Sequence, residues 1–401
     1  MAKQEGEEGV WSKLPPDLLG LIMAKLPLDD HLHLTSVCQH YHLIKSLNFS
    51  SPTPSSPWLI FPGRSSTTLK FLPQAKTTPY ETTIPSPFIR RRLFIGSSNG
   101  WLVTISCNPS LDLHLLNPLT GIQHPLPPIH TLPFIISIPH KSNSSVKYQI
   151  NNQSICDHNS FMNYFFTKAV ISTKDFTVVL AHRYHNRTTL CYTRPNLSKW
   201  ISFVIPYNHM HYAIDVIHDN GLFYALTDMG NIIICSPSSI TKVLSLQEPR
   251  GMLGPSTHFI VRSLEGDLLM VHRLRQPPDE VDIHLHDFRT CEFEVFRIEN
   301  ENNDQKYWKQ VDDLGEQCLF LGDNESMVFS ALKHPELQRN CIYFTEGRMI
   351  LNKRSTSCKQ PEQCDMGVYN LSDRSIKKLL YPSTLTWPPP IWFTPHIDGS
   401  H

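Results

Sequence analysis

The sequence predicts a mainly β chain: a small helical unit at the N-terminus, then a much larger domain of short antiparallel sheets. Three observations carry this. Proline accounts for 32 of 401 residues, against about 5% in average usage, and proline is expelled from helix interiors and central strands. Helical apolar periodicity is confined to residues 11–47. Beyond them, short apolar runs alternate with Gly, Asn, Asp and Pro turns. The 36 basic residues balance 36 acidic ones, so no attraction of the whole molecule to nucleic acid or an anionic membrane is expected. Hydrophobic residues make up 40% and charged residues 18%, which suits a sizeable core rather than a disordered chain.

The first element follows Trp11-Ser12-Lys13-Leu14-Pro15-Pro16-Asp17. Leu18, Leu21, Ile22 and Leu26 then share one helical face. Pro15 and Pro16 sit where a missing N–H costs nothing, and Pro27 ends the helix. Asp29 or Asp30 offers an N-cap for a second helix, on which Leu34, Val37, Cys38 and Tyr41 recur at helical spacing. Leu43, Ile44 and Leu47 suit a last turn. Three helices this short bury little, and such small units need a disulfide, a metal or a partner. Part of the stripe is therefore expected to be an interface for another protein. The alternative is that the helices dock on the rest of the chain.

Leu14-Pro15, Asp17-Leu18, the apolar stripe, and Ser36-Val37-Cys38 followed by an aromatic residue resemble an F-box, over residues 11–49. Where that family often carries Cys-Arg-x-Trp, this run is Cys38-Gln39-His40-Tyr41. The resemblance implies a helical domain that binds a Skp-family adaptor through Leu14, Pro15, Leu18, Ile22 and Leu26.

Residues 50–56 are a Pro/Ser linker. The β elements begin with Pro57–Phe61. Leu93–Ile95 and Trp101–Ile105 flank an expected turn at Gly96–Gly100. Leu113–Leu116 and Ile122–Leu126 flank Asn117-Pro118-Leu119-Thr120-Gly121. Thr189–Tyr192 and Trp200–Ile205 form another pair. Asp215–Ile217, Leu222–Leu226 and Asn231–Cys235 form a meander through Asp219-Asn220-Gly221 and Asp228-Met229-Gly230. Phe259–Ser263 and Leu268–His272 flank Glu265-Gly266-Asp267. His284–Asp287 and Phe293–Ile298 flank an expected turn at Phe288–Cys291, and Gly367–Leu371 and Ile376–Leu380 flank Ser372–Ser375. Strand, turn, strand units recurring at intervals of tens of residues indicate a β-propeller, five to seven blades suiting this length. A pair of β-sandwiches is the alternative. The run Trp387–Phe393 is apolar but broken by Pro388, Pro389 and Pro390, so it is expected to seal an edge or close a ring.

Asn99-Gly100-Trp101-Leu102, Leu115–Gly121, Asp313–Gly322 and Pro388–Trp392 look like the plant F-box family that carries a kelch-like β-propeller domain of unknown function, here over residues 57–396. That resemblance implies a substrate-receptor subunit of an SCF-type E3 ubiquitin ligase. Its partners would be a Skp-family adaptor, through it cullin and RING subunits, and a target protein. It implies a non-catalytic adaptor without cofactor, with ubiquitin transferred by separate E2 and RING subunits.

Chemical motifs are weak. Gly96-Ser97-Ser98-Asn99-Gly100 matches the hydrolase elbow pattern, but that elbow needs a helix after the serine and an apolar strand follows. The histidine pairs His31/His33, His40/His42, His209/His211 and His284/His286 lack further ligands at finger spacing, so no metal site is expected. Asp312, Asp313 and Glu316 read as a solvated loop, and Arg90-Arg91-Arg92 as a solvated strand edge. The ten cysteines include no C-x-x-C pair and read as core residues or incidental thiols. The start, Met1 to Gly9, is acidic and polar, unlike a secretory signal, and no run approaches the roughly 20 apolar residues of a membrane span. A nuclear or cytoplasmic location is expected, with no membrane partner. A propeller hydrolase would need titratable residues converging in the central channel, and no motif announces them. Two further alternatives are an F-box protein acting outside a ligase and a propeller that reads a small ligand.

Overall fold

The computed structural model describes Pro15, Leu18 and Leu21 and the stretches 56–84, 89–108, 110–132, 135–138, 147–150, 154–157, 165–184, 187–203, 213–237, 239–246, 256–277, 288–300, 306–345, 365–379 and 388–396. The sequence predicts short strands, and the described chain is built from them. In order they are β1 (Trp58–Pro62), β2 (Thr68–Pro73), β3 (Tyr80–Thr83), β4 (Arg92–Ser98), β5 (Trp101–Ser106), β6 (Leu113–Leu116), β7 (Gln123–Pro125), β8 (Ile135–Ile138), β9 (Lys147–Ile150) and β10 (Ser154–Asp157). Next come β11 (Phe166–Ser172), β12 (Thr177–Tyr184), β13 (Arg187–Thr193), β14 (Ile201–Ser202), β15 (Ala213–Asp219), β16 (Leu222–Thr227), β17 (Ile232–Ser236), β18 (Ser239–Leu244), β19 (Ser256–Arg262) and β20 (Leu268–Gln276). The last are β21 (Arg289–Asn300), β22 (Lys306–Val311), β23 (Gln317–Leu321), β24 (Met327–Ser330), β25 (Cys341–Phe344), β26 (Gly367–Asn370), β27 (Ile376–Lys378) and β28 (Ile391–Phe393).

These make a six-bladed propeller. Blade one is β28-β1-β2-β3, blade two β4-β5-β6-β7, blade three β11-β12-β13-β14, blade four β15-β16-β17-β18, blade five β19-β20-β21-β22 and blade six β24-β23-β25-β26-β27. The first strand of each blade lies against the first strand of the next, from β28 through β4, β11, β15 and β19 to β24. The hairpin sheet β10-β9-β8 falls between blades two and three in the sequence, and its Ile135 and Tyr148 pack into their shared core. Blade six is irregular. The chain enters at β23, turns back as β24, then crosses to β25, which runs parallel to β23.

Blades stack face to face, so a strand buries both faces and reads as an unbroken apolar run instead of alternating. All five residues of β1 and of β23 are buried. Alternate residues serve different cores. Leu59 and Phe61 join Phe320 and Trp392 between blades one and six, while Trp58 and Ile60 join Phe94 and Leu102 between blades one and two. The Pro-rich tail closes the ring: β28 pairs antiparallel with β1, Leu59 opposite Trp392. Prolines fall at strand ends and edges, as Pro62, Pro73 and Pro125 show.

The hairpin turns follow their residues. Ser98 pairs with Trp101 across Asn99-Gly100 (φ 42° and 84°), and Asp219 with Leu222 across Asn220-Gly221 (φ 50° and 79°). Two residues with positive φ make the turn that fits strand twist, and Asn-Gly is its preferred pair. Two expectations need correction. Gly96, Ser97 and Ser98 belong to β4, so the turn there is only two residues long. Arg289, Thr290 and Cys291 belong to the long strand β21, and Thr290 is buried there.

Candidate functional sites: a channel cluster and an N-terminal surface

Charged residues converge where the inner strands meet. Lys168 stands in the apolar run of β11 and Asp215 in that of β15. Both are buried, and Lys168 Nζ pairs with Asp215 Oδ1. Asp215 Oδ2 accepts from the Ile260 amide of β19 at 2.8 Å and from Ser326 Oγ at 3.1 Å. This carboxylate therefore ties blades three, four, five and six. Its neighbour Glu325 extends from the β23–β24 connection into the same channel. The Glu325 amide donates to Ser97 O of blade two at 2.9 Å. Its carboxyl accepts from the His218 amide of blade four and hydrogen-bonds Ser98.

Backbone irregularity aims these side chains. The pairing of β4 with β5 slips between Phe94 and Gly96, that of β11 with β12 between Phe166 and Lys168, and that of β15 with β16 between Ala213 and Asp215. Such bulges re-aim the residue that follows. At the corresponding place in blade two the residue is Gly96, where an added Cβ would lie 1.9 Å from Ala169 O. Burial pushes the Asp215 carboxyl up, opposed by Lys168 and by hydrogen bonds from the Ile260 and Val216 amides. Burial also pushes Glu325 up to about 7, with Asp215 adding to the rise and Ser98, the His218 amide and Lys168 opposing it. A single charge inside an otherwise apolar run, as in Ala213-Ile214-Asp215-Val216-Ile217, is the sequence signal that could have found this cluster.

A second surface lies at the N-terminus. Leu18 and Leu21 are helical, 50% and 63% exposed, and Pro15 is exposed. Leu14, Ile22 and Leu26, the residues expected to form the second and third helices and the run Cys38–Tyr41 lie outside the described residues.

Comparison with known proteins places this architecture. The KIB1-4 β-propeller model matches residues 70–370. The chain belongs to the KIB1-4 β-propeller family. The F-box domain model matches residues 11–50 ahead of it. Among curated relatives, the F-box protein SKIP23 of Arabidopsis thaliana is 24% identical over 96% of both chains, and the Arabidopsis F-box/kelch-repeat protein At1g57790 is 23% identical over 85% of both.

Within this KIB1-4 propeller the other candidate motifs resolve as follows. Ser98 ends β4 with a strand after it, and its hydroxyl accepts from the Ile171 amide at 3.3 Å, which is not an elbow geometry. Arg92 is a correction: instead of lining a solvated edge it is buried, with Nε on Thr104 Oγ1 at 2.8 Å and Nη2 on Asp112 O at 2.7 Å. Burial lowers it to about 10. Arg91 is exposed, as are Asp312 and Asp313, while Glu316 is half-buried. All four candidate His-x-His pairs lie outside the described residues, and so do Cys358 and Cys364. Among the described residues no group of three His, Cys, Asp or Glu side chains is placed to hold a metal ion.

Proposed function

We propose that this protein is a substrate receptor of an SCF-type E3 ubiquitin ligase. The observation that carries the reading is the joining of an F-box match at residues 11–50 to a KIB1-4 propeller match at 70–370. In this reading Leu14, Pro15, Leu18, Ile22 and Leu26 form the surface for a Skp-family adaptor. The exposure of Pro15 and Leu18 supports it, since apolar side chains left in water favour a partner that removes them. The propeller presents loops to a target protein, and separate E2 and RING subunits transfer ubiquitin while this subunit supplies proximity.

The channel cluster is the one feature a propeller hydrolase would require. It is better explained as a clamp. Both Asp215 oxygens are held by Lys168, Ile260 and Ser326, and Glu325 is held by the His218 amide of β15 and the Ser98 hydroxyl of β4. Side chains engaged in this way join blades, which supports a structural reading of the cluster. Affinity purification of the tagged protein under proteasome inhibition tests the proposal. Adaptor, cullin and RING subunits should be recovered with ubiquitinated target. Recovery of none of the three ligase subunits would count against it.

A further inference from the structure

Gln317, the first residue of β23, is buried and gathers three connections. Its Oε1 accepts from the Leu264 amide, in the β19–β20 turn, at 2.8 Å. Its Nε2 donates to Leu314 O, in the β22–β23 connection, at 3.3 Å. Its backbone lies opposite Ser330, the last residue of β24, and beside that pair the Ala331 amide donates to Glu316 O at 2.9 Å. Each connection is also fixed within itself. Ser263 accepts from the Gly266 and Asp267 amides, Asp313 Oδ1 from the Gly315 amide, and Ser330 O from the Lys333 and His334 amides.

This rigid scaffold holds apolar side chains in water. Leu264 is 47% exposed and Leu332 79%. Among the described residues of the propeller, Met229 is the only other large apolar side chain left so open. Scattered exposed leucines are ordinary, but a pair carried by connections that meet at one buried glutamine makes a patch. Its rim is acidic. Glu265, Asp312 and Asp313 are exposed and Glu316 is half-buried, and among the described residues none of the four is in an ion pair. Against them stand Lys333 and Arg339, while Arg262 and Arg297 are engaged by Asp219 and Asp267. A chain of zero net charge thus carries an excess of negative charge where these leucines emerge.

We propose that the three connections form the docking site for the target protein, and that the occupant is a basic segment carrying two apolar side chains. The proposal rests on the substrate-receptor reading above and names the kind of segment recognised. The leucines take the apolar side chains, and the carboxylates steer and orient the lysines or arginines between them. Connections already fixed lose little freedom on binding.

The test is titration of the purified full chain with a short synthetic peptide of leucines spaced among lysines. It should bind, and more weakly as salt rises from about 50 to about 300 mM. Leu264→Ser combined with Leu332→Ser should weaken binding at least about tenfold, with the unfolding midpoint unchanged. Glu265→Lys combined with Asp312→Lys should also weaken it, and the peptide with glutamates for lysines should not bind. Equal binding by the native chain and the leucine variant, or no binding by the native chain, would overturn the site. Dimers of the native chain that the leucine variant abolishes would assign the patch to a second copy and equally overturn it. Purification under proteasome inhibition separates this proposal from the ligase reading. The leucine variant should keep adaptor and cullin and lose the ubiquitinated target, and a target it retains would refute the docking site. A native chain that binds the peptide but recovers no ligase subunit would refute the ligase reading alone.

Discussion

Arg273 of blade five donates from Nη2 to both the backbone oxygen and Oδ2 of Asp365 in blade six, at 3.0 and 3.1 Å. Its Nη1 reaches Thr345 O at 2.8 Å and its Nε reaches Thr290 Oγ1 at 2.7 Å. The guanidinium also lies 4.7 Å from the Phe344 ring centroid. A planar fork fits this set of acceptors, and a point charge does not. Arg273→Ala removes one of two guanidiniums from the buried Asp365 carboxylate, which keeps Arg275 at 3.7 Å and the Thr290 hydroxyl at 2.8 Å, and is expected to cost about 2–3 kcal/mol. Arg273→Lys should recover less than half of that. Denaturant unfolding measures both, and full rescue by lysine would show that charge alone matters.

Gly96 tests the packing of blade two on blade three. Gly96→Ala places a methyl group against the Ala169 carbonyl, which is backbone and cannot swing aside. Overpacking of this kind costs about 1–3 kcal/mol or more. Gly221 is the contrast: nothing lies within 4 Å of its added Cβ, and its φ is +79°. Gly221→Ala should cost only the left-handed backbone term, about 1–2 kcal/mol. Thermal unfolding of the two variants should rank Gly96→Ala as the less stable.

Ring closure rests on a short strand. Trp392 is fully buried, edge-on to Phe320 at 5.1 Å and Tyr343 at 6.3 Å between ring centroids. Trp392→Ala is expected to cost about 3–5 kcal/mol through the cavity it leaves. Loss of the single unfolding transition would show that blades one and six have separated. An unfolding midpoint equal to that of the native chain would contradict the role given to β28.

The turn chemistry made the strand grammar legible. Asn-Gly at 99–100 and 220–221, and Pro and Gly around 117–121, mark real hairpins, and the Pro-rich tail was recognisable as an edge. Asn117 even caps its own turn, Oδ1 accepting from the Leu119 and Thr120 amides. Polar residues inside strands were illegible. Thr290 lies in a break between two apolar runs and so suggests a turn, but it is held by Asp365, 75 residues away. A run of three arginines in a chain of zero net charge suggests a solvated edge, but the acceptors of Arg92 are supplied by Thr104 and Asp112. A lone charge inside an apolar run marks Lys168 and Asp215 singly, but the cluster is assembled from separate blades, so only closing the ring brings its members together.

The central claim concerns the N-terminal stripe, and direct titration of the purified full chain with a Skp-family adaptor tests it. The native protein should bind. Leu18→Asp combined with Ile22→Asp should weaken binding at least about 100-fold, as expected when charge enters the core of an interface, while the unfolding midpoint of the propeller stays unchanged. Binding by the double variant at native affinity, or no binding by the native chain, would contradict the assignment of this surface to the adaptor.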